Sequence, residues 1–216
     1  MPFVPPRLYP ILDLKDGGDK ELDRVHHLAL ALARAGVTLL QLRAKDVGSG
    51  PFTQLSTSLV TQLNCLGCAL IVNDRADVAL SSHAAGLHLG DEDLPVDEAR
   101  RMLGPDAVIG YSTHNPAEVD GASVMAVDYL GFGPLLKSPT KSGPRKARGY
   151  EALAQACART SLPIVAIGGM TLDSAPRAWR AGAAAVAVIG EMERATDPAA
   201  LVCSYRRAAQ AMLPSP

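Results

Sequence analysis

Several clusters of residues in this chain have the types and spacing to handle anions. Gln41, Arg43 and Lys45 recur every second residue in QLRAKD. Along a strand that spacing points them the same way, which puts an amide and two cations on one face. Arg and Lys make charge-assisted hydrogen bonds to phosphate oxygens. Asn73 and Asp74 sit together in IVNDR, and Asp91, Glu92 and Asp93 follow in GLHLGDEDL. Asp74 and Asp93 are candidate ligands for one Mg²⁺ ion, which is held by one or two carboxylates and leaves positions for phosphate oxygens and water. Ser112, Thr113 and His114 end another apolar run. The stretch LLKSPTKSGPRKARG supplies Lys137, Ser138, Thr140 and Lys141. Finally, Gly168 with Gly169 and Ile189 with Gly190 offer bare backbone amides of the kind that cradle a phosphate. Two anions are implied: a metal-bound polyphosphate and a monophosphate.

These residues need a scaffold that brings them to one place. Short strand-like runs span residues 8–14, 38–44, 69–74, 86–90, 107–113, 129–134, 163–169 and 185–191. Several are almost continuously apolar, as strands buried on both faces of a parallel sheet are. Helix-like stretches lie between them at 21–35, 51–66, 95–104, 149–160 and 171–182, with a final one at about 197–212. In the first, Leu22, Val25, Leu28, Ala29, Leu32 and Ala33 form one stripe at helical period. Strand then helix, repeated eight times, predicts a single-domain (β/α)₈ TIM barrel over residues 1–216. Sharing 216 residues among eight units leaves 27 for each, so connections must be short. An open doubly wound sheet is the alternative, but DLKDGGDK after the first strand lacks the glycine spacing of a dinucleotide turn. In the barrel, every candidate named above falls at or after the C-terminal end of a strand, the end where this fold places its chemistry.

Composition excludes other classes. The chain is 48% hydrophobic, enough to bury a core and too much for a disordered protein. A net charge of −1 and 4% aromatic residues argue against a nucleic-acid coat or an anionic-membrane binder. Cys65 and Cys68 form a C-x-x-C without a second pair or nearby His, so a structural zinc site is not expected. They read as buried small hydrophobes leading into a strand, with a redox pair as the alternative. MPFVPPRLYP has no basic segment followed by an apolar one, and a cytoplasmic protein with reduced thiols is expected.

QLRAKD, IVNDR, GLHLGDEDL, IGYSTHN, YLGFGP, the Lys141 loop and IVAIGGMT, in that order, resemble the thiamine phosphate synthase family. The resemblance implies a transferase that condenses a hydroxymethylpyrimidine diphosphate with a thiazole phosphate, or its carboxylated tautomer, and releases pyrophosphate. It implies that Gln41, Arg43, Lys45, Asn73, Ser112 and Lys141 hold the pyrimidine diphosphate. Of these, Arg43, Lys45, Ser112 and Lys141 would act in catalysis. Asp74 and Asp93 would bind Mg²⁺. Ser138, Thr140, Gly169, Ile189 and Gly190 fall where the family binds the thiazole phosphate.

The chain departs from the family pattern in two places. The loop after the sixth strand usually reads Pro-Thr-x-Thr-Lys, whereas here Lys137-Ser138-Pro139-Thr140-Lys141 stands. Ser138 keeps the hydroxyl. Gly190 replaces a common Ser and keeps only the backbone N–H. Both changes fall on the thiazole-phosphate side. A thiazole tautomerase of the same barrel family, or a non-catalytic binding protein, are the alternatives. The cations and acids of a Mg²⁺–diphosphate clamp favour the transferase. The exposed helices of such a barrel also offer a surface for homo-oligomer formation.

Overall fold

The computed structural model describes residues 2–137 and 146–212. Its eight strands are β1 (Leu8–Asp13), β2 (Leu39–Arg43), β3 (Ala69–Asn73), β4 (Gly86–Leu89), β5 (Val108–Thr113), β6 (Tyr129–Phe132), β7 (Ile164–Ala166) and β8 (Ala185–Val188). They pair in parallel in chain order, and β1 closes on β8. The helices are α1 (Asp19–Arg34), α2 (Ser49–Cys65), α3 (Ala76–Ser82), α4 (Val96–Leu103), α5 (Pro116–Ala122), α6 (Gly149–Cys157), α7 (Ala175–Arg180), α8 (Gly190–Arg194) and α9 (Pro198–Gln210). This is the (β/α)₈ barrel that the strand–helix alternation predicts. Among the described residues, no helix is long and apolar enough to cross a membrane.

Some boundaries differ from the sequence reading. The strand expected to run through residue 191 stops at Val188, and α8 starts at Gly190. Strand seven stops at Ala166, so Gly168 and Gly169 lie beyond it with φ of 95° and 67°. That left-handed region is open to glycine at little cost. Apolarity continued past both strand ends, but the backbone had already turned. Helices α3 and α5 are seven residues each, too short to show a clear 3.6-residue period. Asn115 nonetheless caps α5, accepting from the Glu118 N–H at 3.0 Å.

Alternation along the strands separates two apolar clusters. Outward residues such as Leu12, Leu40, Leu42, Val72, Leu87, Ile109 and Phe132 pack under the helices. Inward residues Tyr9, Ile11, Leu39, Ile71, Tyr129, Val165, Ala185 and Ala187 fill the barrel itself. The inner space is tight. A Cβ on Gly110 would stand 2.1 Å from Tyr129 Cζ and 2.5 Å from His88 Nδ1. Glycine at 110 therefore makes room for two rings from the neighbouring strands.

Gly110→Ala should destabilise the fold by about 1–3 kcal/mol, the usual range for overpacking a filled core. Urea unfolding of the variant against the parent protein measures it; an unchanged midpoint would show that the rings can move aside.

Candidate functional site at the barrel mouth

The C-terminal ends of β2 to β5 surround a cavity of about 260 Å³. Arg43 and Lys45 line it from β2 and its extension, and Asn73 and Asp74 from β3. Asp91, Glu92 and Asp93 line it from the loop after β4, and Ser112 and His114 from β5. Six of the residues to which the family resemblance gives a role thus face one space: Arg43, Lys45, Asn73, Asp74, Asp93 and Ser112.

The cations are held by acids. Lys45 Nζ pairs with Asp74 and Arg43 Nη1 with Asp13. Asp74 has φ of 64°, in the left-handed region. A short polar side chain tolerates this better than most, and the Asp74 N–H donates to the His88 carbonyl at 2.8 Å. The Asp93 carboxylate accepts from the Gly90 N–H at 2.7 Å, which closes the turn after β4. It does not cap α4, whose cap position is Pro95. Burial raises the Asp93 carboxyl above the ordinary aspartate range, and the neighbouring Asp74 carboxylate adds to this, against the Gly90 hydrogen bond and Lys45. Two carboxyls this close repel when both are ionised, and a cation between them removes that cost. The pair therefore fits a divalent ion. Among the described residues no group of three or more His, Cys, Asp or Glu could hold a metal by itself. Two carboxylates completed by substrate and water are the Mg²⁺ pattern.

Gln41 differs from its sequence reading in depth. It points into the barrel, as its spacing with Arg43 predicts, but it is buried and does not line the cavity. Its Nε2 donates to Tyr9 OH at 3.2 Å. From there a chain of buried contacts crosses the barrel. Tyr9 OH meets Tyr129 OH at 3.0 Å, Tyr129 OH meets His88 Nδ1 at 2.9 Å, and His88 Nε2 meets Ser112 Oγ at 2.9 Å. Burial pushes both phenols up, so they remain protonated. Gln41 and Ser112 are thus the two ends of one polar tier resting on the apolar filling. His88 belongs to the barrel interior. The two tyrosines escaped sequence reading because they look like ordinary strand residues; only barrel closure aligns their hydroxyls.

His114 is fixed by donating from Nδ1 to the Gly133 carbonyl at 2.6 Å. On the other side of the rim, Gly169, Ile189 and Gly190 follow β7 and β8 and do not line the cavity above. Glu191 ties these two loops together. It accepts from the Leu172 N–H at 3.0 Å and from the Tyr205 hydroxyl of α9. Ser138, Thr140 and Lys141 lie outside the described residues. Cys68 is buried and its thiol is pushed up to about 12 by desolvation, the opposite of a redox-active thiolate. Cys65 is exposed at the end of α2, which corrects the reading of both as buried.

A sequence model of the thiamine monophosphate synthase family matches residues 8–192. The chain belongs to that family. It is 40% identical over 183 residues to the thiamine-phosphate synthase of Anaeromyxobacter dehalogenans, covering 85% of this chain and 82% of the relative. The thiamine-phosphate synthase of Albidiferax ferrireducens is 37% identical over 201 residues, covering 93% and 90%. Among solved structures, thiamine phosphate pyrophosphorylase from Pyrococcus furiosus superposes with a TM-score of 0.84 at 26% identity, over 96% of this chain and 97% of that one. A 3-hexulose-6-phosphate synthase at 15% identity shares the fold alone, with a TM-score of 0.69 over 94% of this chain and 99% of that one. The chain is accordingly an enzyme of the thiamine-phosphate synthase type, a transferase of thiamine biosynthesis.

The acidic pair generates a stability prediction. Because the Asp93 carboxyl is raised in the fold, its stabilising share is complete below the ordinary aspartate value and is lost as pH rises through the raised one. Asp93→Asn can keep the Gly90 hydrogen bond while removing the charge. In chelator at neutral pH its melting temperature should equal or exceed that of the parent protein. Asp93→Ala should instead lose about 0.5–1.5 kcal/mol, the net value of one hydrogen bond. Thermal melts of both variants across pH check this, and an Asp93→Asn protein as weak as Asp93→Ala would contradict the repulsion.

Proposed function

We propose that the mouth binds a hydroxymethylpyrimidine diphosphate and couples it to a thiazole phosphate, giving thiamine phosphate and pyrophosphate. The observation that carries this is the gathering of Arg43, Lys45, Asn73, Asp74, Asp93 and Ser112 around one cavity. Two cations, two metal-competent carboxylates and a hydroxyl match a diphosphate joined to a polar ring. They exceed what a monophosphate needs.

The bond that breaks joins the pyrimidine methylene carbon to the diphosphate oxygen, which leaves with the electron pair. The ring amine feeds electrons toward that carbon and favours dissociation. The thiazole nitrogen then donates its lone pair to the same carbon. Mg²⁺, when bound by Asp74 and Asp93, supplies positive charge that offsets the leaving diphosphate. Arg43 and Lys45 add fixed positive charge to the same oxygens, and the charge of Lys141 is assigned to the same oxygens; stabilisation of this kind is the electrostatic mode of catalysis. Asn73 donates its amide to the diphosphate. Ser112, anchored by His88, orients the pyrimidine ring, and Gln41, held by Tyr9, supports it from the buried tier below. No side chain needs to act as nucleophile; the protein's share is proximity and charge. The backbone of Gly169, Ile189 and Gly190, with Ser138 and Thr140, receives the thiazole phosphate. Gly190 offers an amide there in place of a hydroxyl.

The test mixes both substrates with Mg²⁺ and measures thiamine phosphate and pyrophosphate. Both should form in equal amounts, and chelation should stop the reaction. Asp74→Asn keeps a residue that accepts the left-handed backbone, so its effect reports the lost charge. It and Lys141→Ala should each lower turnover about 100-fold or more. Tautomerised thiazole without coupling, or near-normal rates in both variants, would sink the proposal.

A further inference from the structure

Arg43 is the cation closest to the strand framework, and its geometry depends on a residue with no role so far. Asp13 ends β1 and is the register partner of Arg43 on β2. Arg43 Nη1 donates to Asp13 Oδ1. Both side chains are part-buried, 20% and 26% exposed, so water still reaches the pair. In a part-buried pair the cost of desolvating both charges offsets much of the Coulomb gain, so the pair is weak evidence for a folding role. A carboxylate at the rim of an anion site also repels the anion it faces. Neither folding energy nor raw attraction accounts for an acid at this place, and the geometry of Arg43 offers a further role.

The surroundings show how firmly Asp13 is placed. Arg24 Nη2 donates to the Asp13 carbonyl at 3.0 Å. Both Glu21 oxygens grip Arg24, at 2.6 and 2.7 Å, and Glu193 of α8 lies 3.7 Å from it. Lys15 reaches the same Glu193 at 3.2 Å. Charged contacts from α1 and α8 thus brace the end of β1. A guanidinium carries five N–H donors in a rigid plane. Held through Nη1, it retains the donors on its other nitrogens and loses much of its freedom to swing. That is the condition for a planar, two-point grip on phosphate.

We propose that Asp13 is the positioning residue for Arg43. It fixes the guanidinium at the mouth so that the remaining N–H groups meet the diphosphate, and it acts on the diphosphate half of the reaction alone. This rests on the reading of the mouth as a diphosphate site.

The test compares Asp13→Asn, Asp13→Glu, Arg43→Ala and the Asp13→Asn/Arg43→Ala double variant, with steady-state kinetics and inhibition by inorganic pyrophosphate. Asp13→Asn should raise KM for the pyrimidine diphosphate and weaken pyrophosphate inhibition by about tenfold, the scale of one charge-assisted contact. KM for the thiazole phosphate and the melting temperature should stay at parent values. Asp13→Glu should recover part of the loss. In the Arg43→Ala background, Asp13→Asn should do nothing more, because a residue acting through Arg43 has no effect without it. An undiminished effect in that background overturns the proposal. So does an Asp13→Asn protein with parent diphosphate kinetics, or one whose thiazole KM shifts equally. If Arg43→Ala itself leaves diphosphate kinetics and pyrophosphate inhibition unchanged, the reading of the mouth fails and the Asp13 proposal falls with it. A silent Asp13→Asn beside a defective Arg43→Ala rejects the positioning role alone.

Discussion

Closure of eight parallel strands confines every inward side chain to one narrow column, and the rest of the molecule follows from how that column is filled. At its base, aliphatic and aromatic residues exclude water. Above them, Gln41, Tyr9, Tyr129, His88 and Ser112 satisfy one another through hydrogen bonds. Buried polar groups are costly unless paired, so this tier is stable only as a connected set. It makes a floor on which the charged rim stands. Gly110 is part of the same constraint, since the two rings of the tier occupy the space its side chain would need.

The rim obeys a different balance. Its cations and acids neutralise each other across strands: Arg43 with Asp13, and Lys45 with Asp74. Burial raises the Asp93 carboxyl, and the Asp74 carboxylate beside it adds to the rise. Such a surface suits a metal–diphosphate complex, in which both signs of charge arrive together. The near-zero net charge of the whole chain conceals this arrangement, because composition does not record where charges lie.

How much of this was legible depends on the kind of signal. The alternation of apolar runs with amphipathic stretches was enough for the barrel, and the strand-end residues were enough for most of the mouth. Arg43, Lys45, Asn73, Asp74, Asp93 and Ser112 needed only the rule that chemistry sits at strand C-termini. Boundaries were less legible. Ile189 and Gly190 continue an apolar run, yet the chain leaves the sheet at Val188. Asp13 was not singled out, since its partner Arg43 lies thirty residues away and nothing in the local sequence points to the pair.

The sequence by itself determined the order of elements, the face each strand presents and the chemical types available at the mouth. These follow from local periodicity and from residue identity. Only the tertiary structure decided which of those residues meet. It sank Gln41 into a buried polar chain, gave Arg43 to Asp13 and Lys45 to Asp74, and brought Asp74 against Asp93. The physical reason is that these contacts cross strands. Their energies depend on register and closure, and neither quantity is written in any one stretch of the chain.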